Sequence, residues 1–231
     1  MAKLSWGEPI VQLKKEGTSI WITVPEIKQD TAQLTVEKGD KKEALNEGGQ
    51  QVDVKYLKNK PSFEWENFIK KGESKPIEDA DGLIIDNYAV RLIPEDPANE
   101  GFIIDRVSLS AEDTWSSADG KLVKYTAEGL KPISGNIVKP FFAPIGDVDN
   151  LAWDSAAADS TGKDVTIAHA TDTITTATTS DWVTLTVAEN VVTAKVTANA
   201  GAARSGVVTI TSDGYSFNIA VSQVAASNAG N

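Results

Sequence analysis

Apolar residues in this chain recur at every second position, and that period constrains the fold before anything else does. Tyr215, Phe217, Ile219 and Val221 alternate with Ser216, Asn218, Ala220 and Ser222; Val192, Ala194, Val196 and Ala198 alternate with Val191, Thr193, Lys195 and Thr197. Successive side chains of a strand point to opposite faces, so such runs read as half-buried strands, and no long helix is expected. The same period runs through Ile20, Ile22 and Val24, through Ala32, Leu34 and Val36, through Val52, Val54 and Tyr56, and through Phe63, Trp65, Asn67 and Ile69. Further strands are expected over residues 88–93, 101–112 and 121–130. The first part of the chain is thus expected to form a β-barrel or sandwich. In the second part, residues 151–153, 165–168, 182–187, 207–211 and 215–221 add short strands, with Asp213-Gly214 as a tight hairpin turn. Their count and spacing fit an immunoglobulin-like sandwich.

Composition places the boundary between the two parts. Residues 1–145 hold 24 acidic and 19 basic side chains, residues 146–231 only 9 and 3, in a background of Thr, Ala, Val and Ser. Pro140 and Pro144 hold their preceding residues extended, and Gly146, Asp147 and Asp149 favour solvent. We expect domains at 1–140 and 150–231, joined by a linker at 141–149 that Phe141-Phe142 could anchor.

Residues 37–51 are polar, contain Gly39, Gly48 and Gly49, and show no burial pattern. Long structureless loops within compact domains are uncommon, and two readings stand side by side: a mobile surface excursion, or an arm that orders against a neighbouring subunit. The candidate contact residues of such an arm are Gly39, Asp40, Lys41, Lys42, Glu43, Leu45, Glu47, Gly48 and Gly49. After it, Val52–Tyr56 and Phe63–Ile69 are expected to pair as a hairpin across a Lys58-Asn59-Lys60-Pro61 turn, with aromatics on one face. Asp79, Asp81 and Gly82 superficially suggest a calcium loop, but the further ligands of an EF-hand are missing, so an Asp-Gly turn is expected.

The formal charge of −11 argues against general affinity for DNA, RNA or anionic lipid. The pairs Lys14-Lys15, Lys41-Lys42 and Lys70-Lys71 read as solvated faces. With no cysteine and His169 as the single histidine, thiol catalysis, the usual zinc ligand sets and a self-contained Ser-His-Asp triad are not expected, and His169 reads as a strand residue. Neither Gly48-Gly49 nor Gly201 has the spacing of a phosphate loop. Carboxylate pairs could be drawn from 33 acidic residues, but abundance alone is a weak argument for glycoside hydrolysis. The expectation is no enzyme, no catalytic or metal-binding residue and no cofactor. No apolar run reaches the length of a signal peptide or a membrane span; as a full reading frame, a chain starting Met1-Ala2-Lys3 is expected to be made and kept in the cytoplasm.

Two resemblances sharpen these expectations. Gly48-Gly49-Gln50-Gln51-Val52-Asp53-Val54, the Phe63-Glu64-Trp65 strand, the Lys70-Lys71-Gly72 turn, Asp81-Gly82, the strand from Tyr88 and the Asp119-Gly120 turn together resemble, over residues 1–140, the layout of phage tail tube proteins of Bacteroidetes phages and prophages. The resemblance rests on order and spacing. It implies a β-barrel or sandwich that assembles into hexameric rings, stacked as a DNA-conducting tube in the virion, with residues 39–51 touching the neighbouring ring and other tail proteins as partners. Six such copies would carry a charge of about −66, so an acidic lumen would let DNA pass without specific binding.

Residues 150–225 resemble the BACON domain of Bacteroidetes proteins more specifically. The carriers are Ser180-Asp181-Trp182-Val183-Thr184-Leu185-Thr186-Val187, then Val196-Thr197-Ala198-Asn199-Ala200-Gly201-Ala202-Ala203-Arg204-Ser205-Gly206, then Val221-Ser222-Gln223. Structurally, Trp182 reads as a core anchor, Asn199 as a turn residue, Arg204 as a buried or bridging guanidinium and Gln223 as a strand-end hydrogen bonder. The family's proposed carbohydrate or mucin binding implies host glycans as partners of an outward-facing decoration. The usual earlier tryptophan strand is replaced here by Asp172-Thr173-Ile174-Thr175-Thr176, and of Trp153, Trp182, Tyr215 and Phe217 three fall on apparent core faces, so a structural role ranks above glycan contact. The rival reading is a carbohydrate- or mucin-binding surface adhesin; a glycosidase accessory module comes third.

Overall fold

A computed structural model describes residues 7–226 as an all-β chain. Residues 1–6, which carry the expectation about a leader, and 227–231, the end of the second expected domain, lie outside the described residues. The chain divides into two compact units, Met1–Phe141 and Phe142–Asn231.

The first unit contains β1 (Ile10–Lys15), β2 (Ile22–Thr23), β3 (Gln33–Glu37), β4 (Lys41–Leu45), β5 (Gln51–Tyr56), β6 (Lys60–Phe68), β7 (Leu83–Ile93), β8 (Gly101–Ser116), β9 (Gly120–Gly129) and β10 (Val138–Phe141). Its main sheet runs β2-β1-β7-β8-β9-β6-β3, with β10 also paired to β8. Among the described residues the sheet does not close into a barrel by a continuous ladder: β2 and β3 end its strand order, and the segment after β2 reaches β6 through an Ile27–Asn67 bridge, with the Lys28 N–H donating to the Glu66 carbonyl (2.8 Å) and the Phe68 N–H to the Glu26 carbonyl (3.1 Å). Phe63, Trp65, Leu109, Ala111, Tyr125 and Ala127 come into one row-by-row register and bury a single face. Trp65 stacks between Phe63 at 5.2 Å and Tyr125 at 5.4 Å. Residues 76–79 cross that face, where the Tyr125 hydroxyl donates to the Ile77 carbonyl (2.8 Å) and accepts from its N–H (3.3 Å). Burial pushes the Tyr125 phenol up to about 12. Asp81 and Gly82 both adopt left-handed φ (52° and 85°), giving the Asp-Gly turn, while Asp79 caps it by accepting the Gly82 N–H at 2.7 Å.

Two local expectations are corrected. Strand β5 does not pair with β6; it pairs with β4, and β6 lies between β9 and β3. Residues 37–51 therefore are not structureless, because Lys41–Leu45 forms a strand whose two faces are both solvated, and a composition without a burial period hides it. In the segment around β2, Ile20 and Ile22 are exposed, while Trp21 and Val24 are buried. The inversion follows from Arg91, fully buried on β7, whose guanidinium lies 3.9 Å from the Trp21 ring and 4.7 Å from Phe141 and donates to Gln12 Oε1 at 2.8 and 2.6 Å. A guanidinium inside a core needs a ring face or an acceptor, so the indole is drawn inward in place of the isoleucines.

The second unit contains β11 (Ile145–Gly146), β12 (Asn150–Trp153), β13 (Asp159–Ala168), β14 (Thr175–Thr178), β15 (Val183–Ala188), β16 (Val191–Val196), β17 (Arg204–Ser212) and β18 (Tyr215–Gln223). Two four-stranded sheets, β11-β13-β16-β15 and β12-β18-β17-β14, share one apolar cluster that includes Trp153, Ile167, Trp182, Val192, Ile210 and Ile219. Asp213 and Gly214 both have positive φ (48° and 68°), as a two-residue hairpin turn between β17 and β18 requires. His169 follows β13 in a turn with φ 58° and stacks on Phe142 at 5.0 Å, so it is not a strand residue. Of residues 141–149, Phe141 ends β10 and Ile145–Gly146 form β11.

Candidate assembly surfaces and the motif cluster

The nine arm residues come together on one hairpin. Gly39 and Asp40 lead into it, Lys41, Lys42, Glu43 and Leu45 lie on β4, and Glu47, Gly48 and Gly49 form the turn. Asn46 holds that turn by accepting the Gln50 N–H on its side chain (2.8 Å) and the Gly49 N–H on its carbonyl (2.9 Å). The hairpin forms a two-stranded sheet of its own. Leu45, Val52 and Tyr56 are 60%, 68% and 55% exposed along it, and Lys41 pairs with Glu43. A two-stranded hairpin without a covered apolar face is marginally stable in water, so this element gains most from a surface that covers it.

On the main sheet, the face opposite the core is acidic. The strand registers bring Glu64 beside Thr126 and Ser110, Glu66 beside Lys124 and Glu112, and Ser62 beside Glu128 and Ser108. Lys124 donates to Glu64 at 2.8 Å, and that bond, together with Glu112 and Glu66, raises its pKa. Three carboxylates thus lie around Lys124, one of them, Glu66, also paired with Lys28 at 3.5 Å, and Glu128 lies two rows further along the same face among hydroxyls. Sequence alone did not assign these carboxylates to a face; the register of β6, β8 and β9 does.

In the second unit the four motif residues meet at one end of the two sheets. Arg204, half-buried, lies 4.5 Å from the Trp182 ring, donates twice to Gln223 Oε1 (3.0 and 2.6 Å) and donates to the Thr197 carbonyl at 2.6 Å. Gln223, 1% exposed, turns its amide to the carbonyls of Ser155 (3.2 Å) and Ala157 (3.0 Å). Asn199 donates to the carbonyls of Ala202 and Val224, both at 2.8 Å, and accepts the Gly201 N–H at 3.0 Å. A side chain at Gly206 would bring a Cβ to 2.0 Å from Ser180 Oγ, which ties the Arg-Ser-Gly run to the segment that leads into Trp182. The Arg204 Nε and Nη2, the Gln223 amide and the Asn199 amide of this cluster are spent on the fold itself. Trp153 is likewise internal, donating to Asp159 at 2.9 Å; two backbone N–H groups, Gly162 foremost, and the indole hold the Asp159 carboxyl below its usual range.

Sequence reading missed Arg91, whose only signal was a guanidinium within the apolar run 88–93, and Trp115, which is 75% exposed at the end of β8. Comparison of the chain with protein-family models and with curated proteins finds no match.

Proposed function

We propose that this chain is a structural subunit that assembles with copies of itself into rings, stacked as a DNA-conducting tube, and that it serves as the tail tube subunit of a phage virion. The observation that carries the reading is the unfinished surface of the first unit: a solvated two-stranded hairpin that forms a sheet of its own, a carboxylate-bearing face, and an eight-stranded sheet whose end strands β2 and β3 are joined by no ladder among the described residues. End strands that no ladder joins are templates for pairing with another copy, and a rotation that closes gives a ring. The face with Glu64, Glu66, Glu112 and Glu128 is the wall that would repel phosphates, and the hairpin is the element that would reach the next ring. Other tail proteins cap such a tube.

The second unit is read as an immunoglobulin-like domain of BACON type that decorates the particle. Its short first strand pairs antiparallel with β13, and the next strand crosses to the other sheet to pair parallel with β18. With β11 counted, the order β11-β13-β16-β15 over β18-β17-β14 follows the constant-type pattern of four strands over three, and β12 adds a further strand beside β18. Burial of Trp153 and Trp182 leaves no flat aromatic platform from the tryptophans, which supports a structural role over glycan contact. Sedimentation velocity of the purified chain tests the assembly reading: species at multiples of a ring support it, and a single 24.6 kDa species at high concentration contradicts it. Titration with mucin tests the surface-adhesin alternative in the same sample.

A further inference from the structure

Strand β8 continues past the core. Residues 107–116 pair with 120–129 of β9 without a register shift, and Val107, Leu109 and Ala111 spend one parity of that ladder on the core. The same parity then reaches Asp113, held by Lys75 at 2.7 Å, and Trp115, whose indole is three-quarters exposed beside Lys121. An indole on a core-facing parity, carried on a rigid ladder, presents a large apolar surface with its conformational freedom already reduced.

Following Lys75 in the same unit lies a half-open pocket of about 240 Å³, lined by Leu13, Ile22, Val24, Pro76, Ile77, Tyr88 and, on its polar part, Glu78. Leu13, Val24, Ile77 and Tyr88 are buried, whereas Ile22 is half-exposed. An apolar cavity of roughly 150 Å³ is enough to take benzene, so a space this large takes a bicyclic ring. Glu78 supplies an acceptor for an indole N–H and an opposite charge for a lysine next to it. Trp115 does not fill the cavity of its own chain, since it stands in solvent.

We propose that Trp115 of one copy inserts into the Leu13/Ile22/Ile77/Tyr88 cavity of the next, with Lys121 meeting Glu78. Where the contact is not reciprocated between the same two copies it is heterologous and propagates from copy to copy, which is the kind a ring needs. It rests on the assembly reading above and names one of its interfaces.

The absence of cysteine makes a clean test. A Ser117→Cys chain, labelled at the turn beside Trp115, is mixed with an Ile22→Cys chain and treated with a short bifunctional thiol reagent. The expected product is a covalent pair between the unlike chains, with neither variant linking to itself. Adding Trp115→Ala to the Ser117→Cys chain should lower the yield by about tenfold or more, as removal of a central aromatic anchor does. Because Trp115 is exposed, this change leaves folding intact, which circular dichroism verifies. An unchanged yield, or self-linking of the Ser117→Cys chain alone, overturns the proposal. If rings are seen by microscopy without the mixed product, this contact falls and the assembly reading stands; if the unmodified chain never assembles, both fall.

Discussion

The polar motif residues of the second unit meet one another, whereas the residues singled out in the first unit stand on a hairpin that forms a sheet of its own. Arg204, Gln223 and Asn199 are satisfied by carbonyls and an indole of their own unit. Leu45, Val52, Tyr56 and Trp115 remain in water, and among the described residues no ladder joins the end strands β2 and β3 of the main sheet. The difference teaches where to look for partners. A unit that satisfies its polar groups internally needs no neighbour to be stable, while one that leaves large apolar side chains more than half exposed gains free energy from a surface that covers them.

Removing the hairpin breaks the comparison most severely. The Leu57 N–H already donates to the Asp40 carbonyl at 2.9 Å, so residues 41–56 can be deleted with little change in the path of the chain. Assembly measured by sedimentation should be lost, while the urea stability of the first unit changes by no more than about 0.5 kcal/mol. A loss of several kcal/mol would instead make the hairpin part of that unit's own fold. The matching change in the second unit is Gln223→Leu, which takes the side-chain acceptor from the Arg204 guanidinium and the amide donor from the Ser155 and Ala157 carbonyls. It should cost about 3 kcal/mol in the unfolding of that unit and leave assembly unaffected.

A third experiment uses pH. The Tyr125 phenol is raised from 10.0 to about 12 in the folded chain, so its contribution is complete below pH 10 and is lost as pH rises towards the folded value. Unfolding followed between those values should show about 2 kcal/mol of lost stability in the first unit, and Tyr125→Phe should remove that dependence. In acid the sign reverses for Asp79, lowered by its bond from Lys75 and then by the Gly82 N–H; its contribution is present above the ordinary value of 3.8 and fades as pH falls through the folded one. The smallest effect belongs to the acidic wall: Glu64→Gln breaks a partly exposed pair with Lys124 and should change stability by under about 1 kcal/mol, read by the same urea titration.

The all-β class, the Asp213-Gly214 hairpin and the core parity of Phe63, Trp65 and Tyr125 were legible because burial on one face writes a period of two into the sequence. Strand β4 was not, since both its faces are solvated and Lys, Glu and Ala carry no such period. Trp21 was read on the wrong face because the partner that draws it inward, Arg91, is seventy positions away and pairing at that range leaves no local trace. Pairing order was hidden for the same reason: alternation marks a strand without naming its neighbour, and a turn as plain as Lys58-Asn59-Lys60-Pro61 connects β5 to a different sheet. The motif cluster was legible as residues but not as a network, which needs the ends of β17 and β18 brought together.

Negative-stain electron microscopy of the purified full chain bears most directly on the claim that the first unit completes itself with copies. The account predicts rings of uniform diameter with a central lumen, alone or stacked end to end. A field of separate single subunits at concentrations where sedimentation shows no larger species would contradict it.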